Sequence, residues 1–143
     1  MEEILDKKIL INAPAARVWA SLTDTTAMKA WMGAPEMELE ITTSWEVGAP
    51  ILIRGFHHVK FENKGIVLEY SPDNVVSYNF LSSISRLPDE KDSYSILRFQ
   101  LAPEVAHTAL SLTISNFPTE TIYHHLNFYW NGTLAMLKKY IEQ

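Results

Sequence analysis

The chain has 143 residues, of which 47% are hydrophobic and 20% charged, with a formal net charge of −5 and no cysteine. A chain of this length buries roughly two-thirds of its unfolded surface without metals or crosslinks, so one domain over residues 1–143 is expected. The missing cysteines exclude disulfides and thiolate metal sites, and an acidic chain with no basic cluster beyond Lys138 and Lys139 is a poor match for a nucleic-acid backbone.

The N-terminus, Met1-Glu2-Glu3-Ile4, carries acid where a secretory signal carries base. Together with the absence of disulfides this predicts a cytoplasmic protein. No stretch approaches the roughly 18 apolar residues of a membrane span, so no membrane partner is expected. Ile4 to Asn12 reads as a strand around Ile9, Leu10 and Ile11. Proline suits a first helical turn, where its missing N–H would have no partner, so Pro14 to Leu22 reads as a short helix with Val18, Trp19 and Leu22 on one face. Oxygens in Thr23-Asp24-Thr25-Thr26 can cap a second short helix that runs through Met28 to Met32 and stops at Gly33-Ala34-Pro35.

From Glu36 the period changes. Met37, Leu39 and Ile41 alternate with Glu36, Glu38, Glu40 and Thr42, the pattern of a half-buried strand. Trp45 to Pro50 reads as a turn, Ile51 to Val59 as a strand and Lys64 to Tyr70 as the next. Ser71-Pro72-Asp73-Asn74 has turn chemistry, which pairs Gly65–Tyr70 with Val75–Ser82 as a hairpin. After the polar segment Arg86 to Asp92, strands are predicted at Tyr94 to Leu101 and Thr108 to Ser115. From Thr119 to Gln143, Ile122, Leu126, Trp130, Thr133, Leu137 and Ile141 recur at spacings of three and four, with Tyr123 and Leu134 in the same sector. Phe128 falls on the polar side of this helix, where it allows contact with a loop or a second copy, and Gly132 costs the helix about 1 kcal/mol against alanine unless something packs closely on it.

Such an order is α+β: a curved antiparallel sheet of six to seven strands wrapped on a long C-terminal helix, with two short helices after the first strand. The sheet face and the helix stripe bury each other. A twisted sheet of this width curls, and one straight helix does not fill the hollow, so bulky side chains fill the rest or a cavity remains.

The run Ile11 to Asp24 followed by Trp31 resembles the opening signature of the activator of Hsp90 ATPase homologue 1-like family, within the START-like superfamily. Further pieces fall in the family's order: Trp45 to Gly55, Gly65 to Pro72, Thr108 to Thr113 and Asn116-Phe117-Pro118. The resemblance implies a helix-grip fold. Ala49 stands where many relatives have Asp, and Ser115-Asn116-Phe117 replaces a segment that often contains His, Glu or Gly, which weakens any transfer of residue roles. Lipid carriers, hormone binders and polyketide cyclases share the superfamily, so the fold does not name an activity.

For a cavity lining, the candidates are the bulky residues Trp31, Trp45, Phe56, Tyr78, Phe80, Tyr123, Leu126 and Trp130. Arg54 and Arg98 lie in strands, where an inward guanidinium would hold a carboxylate, and Tyr78 and Asn127 offer neutral hydrogen bonds. His57-His58 and His124-His125 invite a metal, but neighbours on a strand point to opposite faces and neighbours on a helix diverge by 100°, so no metal and no cofactor is expected. His57, His58, Glu69 and Tyr78 are the titratable groups available for acid–base work, yet nothing in the sequence fixes their mutual geometry, and no catalytic residue is assigned. The expected function is binding of an apolar or aromatic small molecule between sheet and helix. Its alternatives are a cyclase- or hydrolase-like enzyme using the same cavity, and a stress-related, chaperone-accessory interaction module or homodimer presenting Phe128 and the Leu87 loop.

Overall fold

In the computed structural model, which describes residues 3–143, seven antiparallel strands form one open curved sheet. In chain order they are β1 Leu5–Ile11, β2 Glu40–Thr43, β3 Pro50–His57, β4 Val59–Ser71, β5 Val75–Ser82, β6 Ser95–Pro103 and β7 Thr108–Ser115. Helices α1 Ala15–Thr23 and α2 Thr25–Met32 follow β1, and α3 Glu120–Glu142 ends the chain. Across the sheet the order is β1-β7-β6-β5-β4-β3-β2, so the first strand returns to pair with the last. Met1 and Glu2 of the acidic N-terminal stretch lie outside the described residues.

Local chemistry sets the helix ends. The Asp24 carboxylate accepts the Thr26 N–H at 2.9 Å and so caps α2, and the Thr119 hydroxyl accepts the Ile122 N–H at 3.1 Å at the start of α3. Two indoles lock the short helices in place: Trp31 Nε1–H donates to the Ser21 carbonyl at 2.8 Å, and Trp45 Nε1–H to the Thr23 carbonyl at 2.7 Å. At the far end of α3, Lys138 Nζ donates to the Leu10 carbonyl at 2.7 Å and the Arg17 guanidinium to the Ile141 carbonyl. The C-terminal half of α3 therefore sits against β1 and α1. Leu137 and Ile141 there are buried with Ile11, Leu110, Leu112 and Ile114, each at most 1% exposed. Each such side chain contributes about 2 kcal/mol of burial.

Two strand boundaries differ from the sequence expectation. The alternating segment from Glu36 is not a strand at its start: Pro35–Met37 is a 3-10 turn, Glu38 is left-handed at φ 49°, and pairing begins at Glu40. Leu39 is buried all the same, so the alternation reported burial and not backbone. The strand expected to run to Val59 instead ends at His57 and reverses at His58 (φ 66°), and the next starts at once, at Val59. Residues 60–63, expected to lie between two strands, belong to the β3–β4 ladder, where Glu62 pairs opposite Arg54.

The β4–β5 hairpin forms as expected, with an irregularity that sequence does not show. Its register shifts between Val67 and Glu69, a bulge that brings both Val67 and Tyr70 to the inner side and leaves Glu69 outside. Just before it, a Cβ on Gly65 would fall 1.8 Å from the Asn79 carbonyl oxygen. The Asn79 side chain accepts the neighbouring Ile66 N–H at 2.8 Å.

Candidate functional site

While the C-terminal half of α3 fills the hollow of the sheet, its N-terminal half faces β3 to β6 across open space. The result is a pocket of about 510 Å³. Ile53 on β3, Phe61 and Asn63 on β4, Tyr78 and Phe80 on β5, and Leu97 on β6 form the sheet wall, and Ile122, Leu126, Tyr129 and Trp130 form the helix wall. Met32, Met37 and Leu39 close one end. Exposed His57, Ile84, Thr121 and His125 stand at the mouth, beside Ser82 and Ser85. The lining contains no Asp, Glu, Lys or Arg among the described residues.

Inside, the titratable groups are phenols. Tyr129 donates its hydroxyl proton to the Met32 carbonyl at 2.6 Å, and burial holds its pKa above the ordinary range. Tyr78 is 3% exposed and is wedged between Trp45 (ring centroids 6.0 Å apart) and Phe99 (6.3 Å). Burial first, and the neighbouring Tyr129 phenol second, push its pKa far up, so the hydroxyl keeps its proton and acts as a donor, never as a base near neutrality.

The candidates from sequence divide by strand alternation and helix face. Tyr78, Phe80, Leu126 and Trp130 line the pocket. Trp31 lies behind it, tilted against Trp130 at 6.3 Å, and Trp45 stacks on Tyr70 at 5.8 Å. Tyr123 turns away to pack on Phe117 at 4.9 Å, with Glu3 beside its hydroxyl, while Asn127 accepts from Lys7 Nζ. Neither arginine points inward. Because Ile51 and Ile53 take the inner face of β3, Arg54 and Phe56 fall outside: Arg54 pairs with Glu62 at 2.6 Å, and Phe56 is 49% exposed. Leu97 and Phe99 likewise take the inner face of β6, so Arg98 lies outside and pairs with Glu69 at 2.8 Å.

The remaining acid–base candidates scatter. Glu69 is held outside by Arg98, and His58 occupies the β3–β4 reversal rather than a strand position. That reversal, and not strand geometry, brings the His57 and His58 rings to 4.6 Å. Among the described residues no group of three or more His, Cys, Asp or Glu is placed to hold a metal. Lining residues the sequence reading did not offer for the cavity include Met37, Leu39, Ile53, Phe61, Leu97 and Tyr129. Signals existed for some: Met37 and Leu39 are in the alternating segment, and Tyr129 lies three residues after Leu126.

Residues 12–142 match the family model described as Activator of Hsp90 ATPase homolog 1-like protein. Among solved structures, a protein from Cytophaga hutchinsonii is 26% identical, with a TM-score of 0.82 over 99% of this chain and 95% of its own. One from Chromobacterium violaceum is 19% identical, with a TM-score of 0.82 over 99% of both chains. The Aha1 dimer from Colwellia psychrerythraea is 22% identical, with a TM-score of 0.76 over 98% of this chain and 96% of that one. A search of the curated proteins returns no match. Among the described residues no helix is long and apolar enough to cross a membrane.

Proposed function

The chain belongs to the Activator of Hsp90 ATPase homolog 1-like family, and from that premise we propose that it binds an apolar small molecule in the pocket between the sheet and the N-terminal half of α3. The observation that carries this reading is the pocket itself: about 510 Å³ of space, walled by Ile53, Leu97, Leu126 and Trp130 and free of charged lining among the described residues. That volume lies within the range of small-molecule sites, and an apolar guest there removes its own surface and that of the walls from water. Binding is favoured over catalysis because the titratable groups deep in the site are phenols that burial keeps protonated. They can orient an oxygen but cannot take a proton.

Thermal-shift measurements against medium-chain fatty acids, aromatic ketones and polyketide-like compounds test this. A ligand at a hundred times its Kd adds about 2.7 kcal/mol to stability, which raises Tm by several degrees in a domain of this size. A panel in which no compound raises Tm contradicts the proposal.

A further inference from the structure

The two most deeply buried polar groups in the pocket wall that have no hydrogen-bond partner among the described residues are the Tyr78 hydroxyl on β5 and the Trp130 Nε1–H on α3. Both residues are nearly buried, 3% and 2% exposed, and both line the pocket. The fully enclosed side-chain polar atom left without a partner among the described residues is His107 Nδ1, which lies elsewhere. The Tyr78 and Trp130 atoms therefore face open space, and for residues so buried that space is the pocket. Both rings pack on Phe99, with centroids 6.3 Å and 5.6 Å from it, Tyr78 from the sheet wall and Trp130 from the helix wall.

Three other donors in the wall are already used, whereas Asn63, Ser93 and Thr121 also lack a side-chain partner among the described residues but are less deeply buried. Tyr129 donates to the Met32 carbonyl at 2.6 Å, the Ser95 hydroxyl to the Asn116 carbonyl at 3.1 Å, and the Ser85 hydroxyl to the Ser82 carbonyl at 2.8 Å. A buried donor left without a partner is costly, and an indole N–H can only donate. What would satisfy either is a ligand oxygen with lone pairs. That oxygen must be uncharged, because the deep wall holds no cation to offset a buried anion.

We infer that the ligand of this pocket carries an uncharged carbonyl-type oxygen, as in a ketone, ester or quinone, that accepts a hydrogen bond from the Tyr78 hydroxyl, with the Trp130 Nε1–H a second donor on the opposite wall. This rests on the pocket being a binding site and adds the chemistry of its guest. The raised pKa of Tyr78 agrees with a phenol that keeps its proton to donate.

The test uses three probes of one shape, 2-acetylnaphthalene, 2-ethylnaphthalene and 2-naphthoate at pH 8, titrated by calorimetry into the full chain and into Tyr78→Phe. The ketone should bind the wild-type chain about tenfold more tightly than the hydrocarbon and more tightly than the carboxylate. In Tyr78→Phe the ketone's advantage over the hydrocarbon should shrink to about twofold or less. Equal wild-type affinities for ketone and hydrocarbon, or an advantage that survives in Tyr78→Phe, overturn the inference and leave the binding site standing. Tighter binding of the carboxylate overturns it equally. If none of the three binds the wild-type chain, both the inference and the site fall. The wild-type comparison of ketone with hydrocarbon decides the matter even if the variant does not fold.

Discussion

Gly65 and Gly132 look alike in the sequence, as single glycines inside regular elements, and the structure separates them completely. At Gly65 a Cβ would lie 1.8 Å from the Asn79 carbonyl oxygen, a backbone atom that cannot turn aside. At Gly132 a Cβ would meet nothing within 4 Å. We predict that Gly65→Ala destabilises the chain by about 3 kcal/mol, whereas Gly132→Ala stabilises it by about 1 kcal/mol. Thermal and urea melts of the two variants check this, and equal effects would contradict the close approach at β4–β5. A sequence reading cannot tell these glycines apart, because the decisive neighbour of Gly65 is fourteen positions away across a hairpin. The inward set of β3 and β6 was likewise not fixed by the sequence. Arg54 and Arg98 could each take either face until Ile51 and Ile53, or Leu97 and Phe99, claimed the inner one.

Among the elements, α3 was the most legible, because its apolar residues recur at helical spacing over the whole predicted length, and the expected face is the buried one: Leu126, Trp130, Thr133, Leu134, Leu137 and Ile141. The strand expected from Glu36 failed at Pro35–Met37, since a 3-10 turn can bury alternate residues as a strand does. Nothing local announced the bulge at Val67/Glu69. The end of α3 also carries a pH-dependent tie. Glu142 Oε2 accepts the Asn12 N–H at 2.8 Å and pairs with Lys138 Nζ, and the Asn12 bond first, then the Lys138 bond, hold its carboxyl below the usual carboxylate range. A carboxyl depressed in the folded state contributes stability above its unfolded pKa of about 4.3, and that contribution is lost as pH falls through the lower folded value. Glu142→Gln should therefore melt at a lower temperature than the parent at pH 7, with the gap closing as the pH falls below about 4. A gap independent of pH would show that the carboxylate charge does not contribute to the tie.

On the scale of the whole molecule, the order of strands and helices already implied a curled sheet around one terminal helix. It could not say where along the helix the space would remain. Ties between the C-terminal half of α3 and β1 and α1, through Lys138 and Arg17, place the filled part there and leave the hollow beside Ile122 to Trp130. Four of the candidates, Tyr78, Phe80, Leu126 and Trp130, line it because they belong to that half or to the inner face of β5. Trp31 and Trp45, which do not line it, anchor the short helices by their indole N–H groups. The most direct test is a methyl-labelled NMR titration with 2-acetylnaphthalene. Saturable shifts should appear at Leu39, Ile53, Leu97, Ile122 and Leu126, which line the pocket, and not at Leu110, Leu112 and Ile114 in the packed core. Shifts spread evenly over both sets, or none at any concentration, would contradict a guest held between the sheet and the N-terminal half of α3.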